Sequence, residues 1–254
     1  MAGQFCWIEL LTSDIEASQA FYGAVMGWTC VAAGHNAHDY RLFSKDGQVA
    51  AGLMQLPEEA KARGARPSWF GYISSDDVNM DVADIDDAGG TVYRDPETIP
   101  DMGRFAVVSD PQGAAFGLWQ DLSGRKGPDI PAMSTGHCGW RELMADDVDE
   151  AFAFYEEKFG WTRAEAHDMG PMGKYQLFAT GGMPVGGMMK RPGNVPQSHW
   201  NYYLTVEAID AAIAKVGAAG GKIVNGPNEV PGGAWIAHGV DPQGVFFAMV
   251  AAKR

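Results

Sequence analysis

Two carboxylates stand in the same short phrase. "WIEL" carries Glu9 beside Trp7, and with a shift of 133 "WREL" carries Glu142 beside Trp140. In a strand, alternate residues share a face. Trp7, Glu9 and Leu11 then point one way, and Cys6, Ile8 and Leu10 the other. A carboxylate on a mostly apolar wall is costly unless hydrogen-bonded, and otherwise titrates upward. Glu9 and Glu142 are therefore candidate general bases or acceptors, with Trp7 and Trp140 as stacking surfaces. The alternative is structural: each Glu braces backbone N–H groups, Tyr or Arg, and each Trp is core. His238 is the third candidate for acid–base work, because Val107 stands at its counterpart in the first half. Phe70, Tyr72, Asn201 and Tyr203 are candidate ligand contacts on the neighbouring strands. Arg104, in "GRFAV", joins them; Trp235 replaces it in the second half. His35 and His38, in "GHNAHDY", have a loose spacing for a metal and read as a polar loop.

These residues need elements to position them, and the chain supplies the same set repeatedly. The shift of 133 carries Asp14, Phe21, Tyr22, Gly27 and Trp28 onto Asp147, Phe154, Tyr155, Gly160 and Trp161. A shift of 131 carries Trp69, Tyr72, Gly89, Gly90, Pro96 and Pro100 onto Trp200, Tyr203, Gly220, Gly221, Pro227 and Pro231, and the first "DPQG" onto the second. The chain is a tandem duplication. Asp147 predicts a helix cap, and Val148, Ala151, Phe152, Tyr155 and Phe159 recur as one apolar helix face. Strands are predicted at "WTRAEA", "KYQLFAT" and "PVGGMMK", and the order repeats from Ser198. Four βαβββ units result, spanning 5–56, 67–121, 137–190 and 198–252. They pair into domains 1–122 and 137–254, joined by a Gly/Pro/Ser-rich linker at 123–136.

Composition narrows the function classes. The chain has 254 residues, 46% hydrophobic and 20% charged, a globular balance. A formal net charge of −13 repels phosphate backbones and anionic lipid, so neither nucleic acid nor membrane is an expected partner. No apolar run approaches a membrane span, and the N-terminus lacks the pattern of a secretory signal. Cys6, Cys30 and Cys138 show no CxxC spacing, which fits a reducing cytoplasm. Dinucleotide, P-loop and serine-hydrolase motifs do not occur.

The unit order, with "D…FY…GW", "GRFAV" and "DPQGAAFGLWQ", resembles the vicinal oxygen chelate superfamily of glyoxalases, extradiol dioxygenases and bleomycin-resistance proteins. The resemblance implies an α+β fold of four βαβββ units paired into two tandem cup domains, each cup open to a ligand. It also implies a divalent metal on the cup wall, held by His, Glu or Gln of the first and last strands. Those positions fall here on Trp7, Phe70, Trp140 and Asn201, and on Gly52, Gly117, Gly187 and Ala248. None is His, Glu or Asp. The expectation is therefore a binding protein of the bleomycin-resistance sort, without metal or other cofactor, holding a small apolar or aromatic molecule in one or both cups. The alternatives are a glyoxalase- or hydroxylase-like enzyme acting on a small carbonyl compound, with a divalent metal or acid–base groups, and an interaction protein with filled cups. Joining two domains in one chain points to a monomeric pseudo-dimer, with a homodimer as the alternative.

Overall fold

The computed structural model describes residues 2–34, 39–124 and 130–254; His35 and His38 lie outside them. In the first half, β1 (Phe5–Thr12), α1 (Ile15–Met26), β2 (Thr29–Ala32), β3 (Arg41–Lys45) and β4 (Gln48–Gln55) form one βαβββ unit. A short α2 (Glu58–Ala62), which the sequence pattern did not signal, leads to β5 (Ser68–Ser74), α3 (Val78–Asp87), β6 (Thr91–Ile99), β7 (Gly103–Ser109) and β8 (Ala115–Asp121). The second half repeats the order with β9 (Cys138–Ala145), α4 (Val148–Phe159), β10 (Thr162–Asp168), β11 (Lys174–Ala179) and β12 (Pro184–Lys190). It closes with β13 (His199–Thr205), α5 (Ile209–Ala218), β14 (Lys222–Glu229), β15 (Trp235–Val240) and β16 (Phe246–Ala251).

Local chemistry sets the helix ends. Asp14 accepts the Ala17 N–H, and Asp147 accepts those of Asp149 and Glu150, satisfying donors that a helix start leaves orphaned. Gly27 and Gly160 stop α1 and α4 in the left-handed conformation, at φ 68° and 66°. These two glycines of the "GW" pairs let the chain turn back at once into β2 and β10.

The strands form two eight-stranded mixed sheets of identical order, β2-β3-β4-β1-β5-β8-β7-β6 and β10-β11-β12-β9-β13-β16-β15-β14. Within each unit the first strand runs parallel to the last, as β1 does to β4 and β13 to β16. Each sheet thus holds two βαβββ units, the pairing expected of the two halves. Among the described residues no helix is long and apolar enough to cross a membrane.

Packing density groups the chain differently, into two compact units that each draw on both halves. One comprises Met1–Trp7, Gly71–Pro128 and Arg141–Asn201; the other Ile8–Phe70, Asp129–Trp140 and Tyr202–Arg254. In the former, the Tyr155 hydroxyl donates to Asp110 Oδ2 at 3.0 Å and accepts the Trp200 Nε1–H at 3.0 Å. Trp161 Nε1 donates to the Gly3 carbonyl at 2.6 Å. In the latter, Tyr22 donates to Asp241 Oδ2 at 3.3 Å and accepts from Trp69 Nε1 at 3.0 Å, and Trp28 Nε1 donates to the Gly136 carbonyl at 2.9 Å. The shifts of 133 and 131 map one set onto the other. The "FY…GW" phrase of each half therefore bonds the "DPQG" turn and the entry segment of the other half.

Aromatic rings fill the space around these bonds. Tyr155, Trp161, Phe178 and Trp200 form one buried cluster, with Trp161 and Phe178 stacked at 4.4 Å. Tyr22, Trp28, Phe43 and Trp69 form the equivalent cluster in the other unit. Trp69 and Trp200 are thus core residues, their expected default role.

Candidate functional site

The two carboxylates of the opening phrase are both buried. Glu9 Oε2 accepts the Tyr40 hydroxyl at 2.9 Å, and Glu142 Oε2 lies 3.5 Å from the Asn201 amide nitrogen, at the limit of a hydrogen bond. Ile8 and Leu10 fill the opposite, covered face of β1, as the alternation requires. Trp7 and Trp140 are half-buried. Arg104 is tied to its own hairpin by Thr98 Oγ1 at 3.5 Å and the Pro96 carbonyl at 3.3 Å.

The last-strand positions, where the resemblance calls for metal ligands, are filled by tyrosine rings. A Cβ on Gly117 would sit 2.1 Å from Tyr72 Cδ1. One on Gly52 would sit 2.1 Å from Tyr40 Oη and 2.9 Å from the Glu9 Cβ, and one on Gly187 would sit 2.3 Å from Tyr175 Cζ. At the fourth position Ala248 lies in register with Tyr203. Glycine and alanine carry no donor, and the rings leave three of these positions no room for one. The residues present do not fit the metal that the family resemblance implies. Among the described residues, no three His, Cys, Asp or Glu gather in a group suited to a metal ion.

A polar chain instead crosses the second sheet at Ala248. Phe247 packs on Phe21 and Tyr22 of α1, so the alternate residues Phe246, Ala248 and Val250 face the helix-free side. His238 pairs with Ala248 across the β15–β16 ladder, and Tyr203 with Ala248 across β13–β16. The three share that side. His238 Nε2 and Tyr203 Oη are 2.9 Å apart, and His238 Nδ1 is 3.1 Å from Asn225 Nδ2. Asn228 Nδ2 in turn donates to Asn225 Oδ1 at 3.1 Å. As placed, the NH2 end of Asn225 faces His238 Nδ1 and donates to it in the tautomer whose Nδ1 is bare. In that tautomer the imidazole proton sits on Nε2 and is donated to the Tyr203 oxygen. Burial pushes His238 below its ordinary value of 6.5, which keeps the ring neutral at pH 7.

Around this chain the wall is apolar. Tyr203, Ala248 and Val250 are buried together, with Trp140, Ala234 and Ile236 packed against them. Phe246, 41% exposed, stacks on His238 at 5.5 Å and 27°. His238 is half-buried, and Asn225 and Asn228 reach the surface. The structure thus gathers Trp140, Tyr203 and His238 from the expected site residues and adds Asn225, Asn228 and Phe246, which sequence reasoning missed.

The duplication supplies an internal comparison. At the positions of Asn225, Asn228 and His238 the first half has Arg94, Glu97 and Val107, in the same register. Arg94 Nη2 pairs with Glu97 Oε2 at 2.6 Å, and its guanidinium lies 4.8 Å from the Phe105 ring centre. An exposed ion pair on an apolar wall there replaces the neutral relay of the second half. That exchange of charged for amide side chains was a signal available in the sequence.

Known proteins match along the whole chain. The family model for the Glyoxalase/Bleomycin resistance protein/Dioxygenase superfamily matches residues 4–118 and again 135–249. A Mycobacterium tuberculosis (strain CDC 1551 / Oshkosh) protein named "Putative glyoxylase CFP32" is 34% identical over 248 residues, covering 96% of this chain and 93% of the relative. "Anthracycline biosynthesis protein DnrV" of Streptomyces peucetius is 29% identical over 267 residues, covering 99% and 94%. Among solved structures, the Mn(II)-bound glyoxalase from Novosphingobium aromaticivorans superposes with a TM-score of 0.66 at 18% identity, covering 100% of this chain and 83% of that one. The 2,3-dioxygenase LapB from Pseudomonas sp. KL28 gives 0.65 at 14% identity, covering 99% and 92%. The chain belongs to the glyoxalase/bleomycin resistance protein/dioxygenase superfamily and carries its domain twice.

Proposed function

We propose that this protein binds a small apolar or aromatic molecule on the helix-free face of its second sheet, without a resident metal. The observation that carries the reading is the Tyr203–His238 hydrogen bond, at 2.9 Å, set in a wall of Trp140, Ile236, Ala248 and Phe246. Binding sites for small molecules are mostly apolar with a few placed polar groups, and this face has that make-up. The glycines and alanine at the last-strand positions support the absence of a metal, although the Novosphingobium relative of the same fold is named as Mn(II)-bound. The exchange of Tyr and Trp bonds between the halves supports a monomer, since each half already holds the partner it would seek in a dimer.

Metal analysis of protein purified without chelator, followed by melting scans with Mn(II) and with naphthalene, tests the reading. Substoichiometric metal, no rise with Mn(II) and a rise with naphthalene that Trp140→Ala removes are the expected results. Stoichiometric metal, or stabilisation by Mn(II) alone, would overturn it. The second reading is a glyoxalase- or hydroxylase-like enzyme, favoured by one observation: a neutral imidazole bonded to a phenol can hold or pass a proton.

A further inference from the structure

We infer that the cleft at the start of α4 is a second binding site, for a free aliphatic α-amino acid whose ammonium group pairs with Asp147 and whose carboxylate pairs with Lys190. The cleft measures about 310 Å³ and lies between the first turn of α4, the turn Gly170–Met172 and the end of β12. All of its lining residues belong to the compact unit that contains Arg141–Asn201. It shares no residue with the wall of the second sheet, so this inference goes beyond the binding reading above and stands without it.

Three aspartates and two lysines line this cleft, and three of the five are already matched. Asp146 pairs with Arg191. Asp149 Oδ1 accepts from Arg163 Nη1 at 2.8 Å and from Lys174 Nζ at 3.3 Å, and these two cations hold its carboxyl below the ordinary value of 3.8. Asp147 and Lys190 remain. Asp147 Oδ1 accepts the N–H groups of Asp149 and Glu150, but its Oδ2 accepts nothing from the described residues. Among those residues the exposed Lys190 ammonium has no ion pair or hydrogen bond, with Asp147 or with any other group. A carboxylate and a cation that face one cleft without meeting are complementary to a ligand carrying both charges. A simple anion would meet three aspartates, and a simple cation would leave Lys190 unmatched. A zwitterion satisfies both.

The rest of the lining sets the size and the side chain. Val148, Pro171 and Met172, the last 56% exposed, supply apolar surface beside the two charges. A volume of 310 Å³ stands at the lower end for small-molecule pockets, which suits a ligand of amino-acid size. The first half cannot present the same pair of charges. Gln55 holds the position of Lys190, each closing its strand beside the end of β1 or β9, and its amide donates to the Ser13 carbonyl at 3.0 Å. Arg41 there takes up both Glu16 and Asp39, the counterparts of Asp149 and Lys174. One such site per chain follows, despite two copies of the domain.

The experiment titrates the full chain with three probes and follows its backbone amide shifts by NMR. L-Leucine carries both charges, 4-methylpentanoate lacks the ammonium, and 3-methylbutylamine lacks the carboxylate. Leucine should saturate one site per chain, shifting the amides of Val148, Gly173 and Lys190. It should bind roughly three- to fivefold more tightly than either analogue, the range of a solvent-facing ion pair. Molar salt should erase that preference. Lys190→Gln should remove the advantage of leucine over the amine and keep its advantage over the acid. Asp147→Asn, which retains a good helix cap, should do the reverse while the spectrum stays folded. Lys222→Gln, outside the cleft, should change neither preference. Equal affinity for the three probes, preferences untouched by both cleft variants, or shifts centred away from α4 would overturn the inference. So would the absence of any shift at about 50 mM leucine, a concentration that reveals even millimolar binding. The naphthalene and Mn(II) scans do not depend on this outcome, so the two readings fail separately.

Discussion

The Tyr155 hydroxyl stands 3.0 Å from Asp110 Oδ2 while accepting the indole proton of Trp200. Tyr22 makes the equivalent bond to Asp241 at 3.3 Å. Removing one such hydroxyl strands two buried partners, a carboxylate oxygen and an indole N–H. Tyr155→Phe should therefore cost about 2–3 kcal/mol, the range for leaving buried polar groups unsatisfied. Tyr22→Phe should cost less, since its bond to the carboxylate is longer. Urea unfolding checks both, with a lowered midpoint at unchanged slope as the expected outcome.

Burial raises Asp110 and Asp241 above the ordinary carboxylate value of 3.8, the desolvation outweighing the backbone N–H groups and tyrosine that each accepts from. Such a group binds its proton more tightly folded than unfolded. Its contribution to stability is thus full below about pH 4 and falls as pH rises through the raised native value. Asp110→Asn cannot titrate. The stability difference between wild type and Asp110→Asn should favour wild type most in acid and shift against it toward neutrality. Denaturant titrations at several pH values read this directly; a difference independent of pH would show that Asp110 is not shifted.

His238 works in the opposite sense. Its native value is lowered by burial, so below 6.5 the unfolded chain takes up a proton that the native ring refuses. Stability from this group is present above 6.5 and is lost as pH falls toward the depressed native value. Wild type should therefore lose stability relative to His238→Gln between pH 6.5 and 5, as measured by melting temperature on matched samples.

Gly117 lies under the Tyr72 ring, where an added Cβ would approach within 2.1 Å. Gly117→Ala should be destabilising by roughly 1–3 kcal/mol, the range for overpacking a filled site. Pairing it with Tyr72→Ala should cost less than the two single changes summed, because the second removes the clash created by the first. Strict additivity in a double-mutant cycle would contradict the contact.

Much of this architecture was legible in the residues themselves. Asp14, Asp147 and the "FY…GW" phrases announced a strand, a cap and a helix, and each formed where the pattern put it. The last-strand positions without metal ligands were visible too, but not their reason, because the tyrosine that covers Gly52 comes from the segment before β3 and the one that covers Gly187 from β11. Short α2 has no apolar periodicity to betray it, and all five of its residues remain unburied. Asn225 and Asn228 were missed because an amide on an edge strand reads as a solvated residue. Their role emerges only when the β14–β15 ladder sets Asn225 against His238. The partners of Tyr22 and Trp28 were hidden for a different cause: they lie 219 and 108 residues downstream.

Those separations bear on how the chain is made. When a ribosome has delivered the first βαβββ unit, the carboxylate that receives the Tyr22 hydroxyl and the carbonyl that receives the Trp28 indole have not yet been synthesised. The nascent first half must wait with its central aromatic cluster unfinished, and its completion depends on contacts of long sequence range, which slow folding. Release of the last strands is then the event that closes Tyr22 onto Asp241. Truncation a few residues short of Asp241 should accordingly leave a chain that chaperones retain, rather than a shortened protein with one sound half.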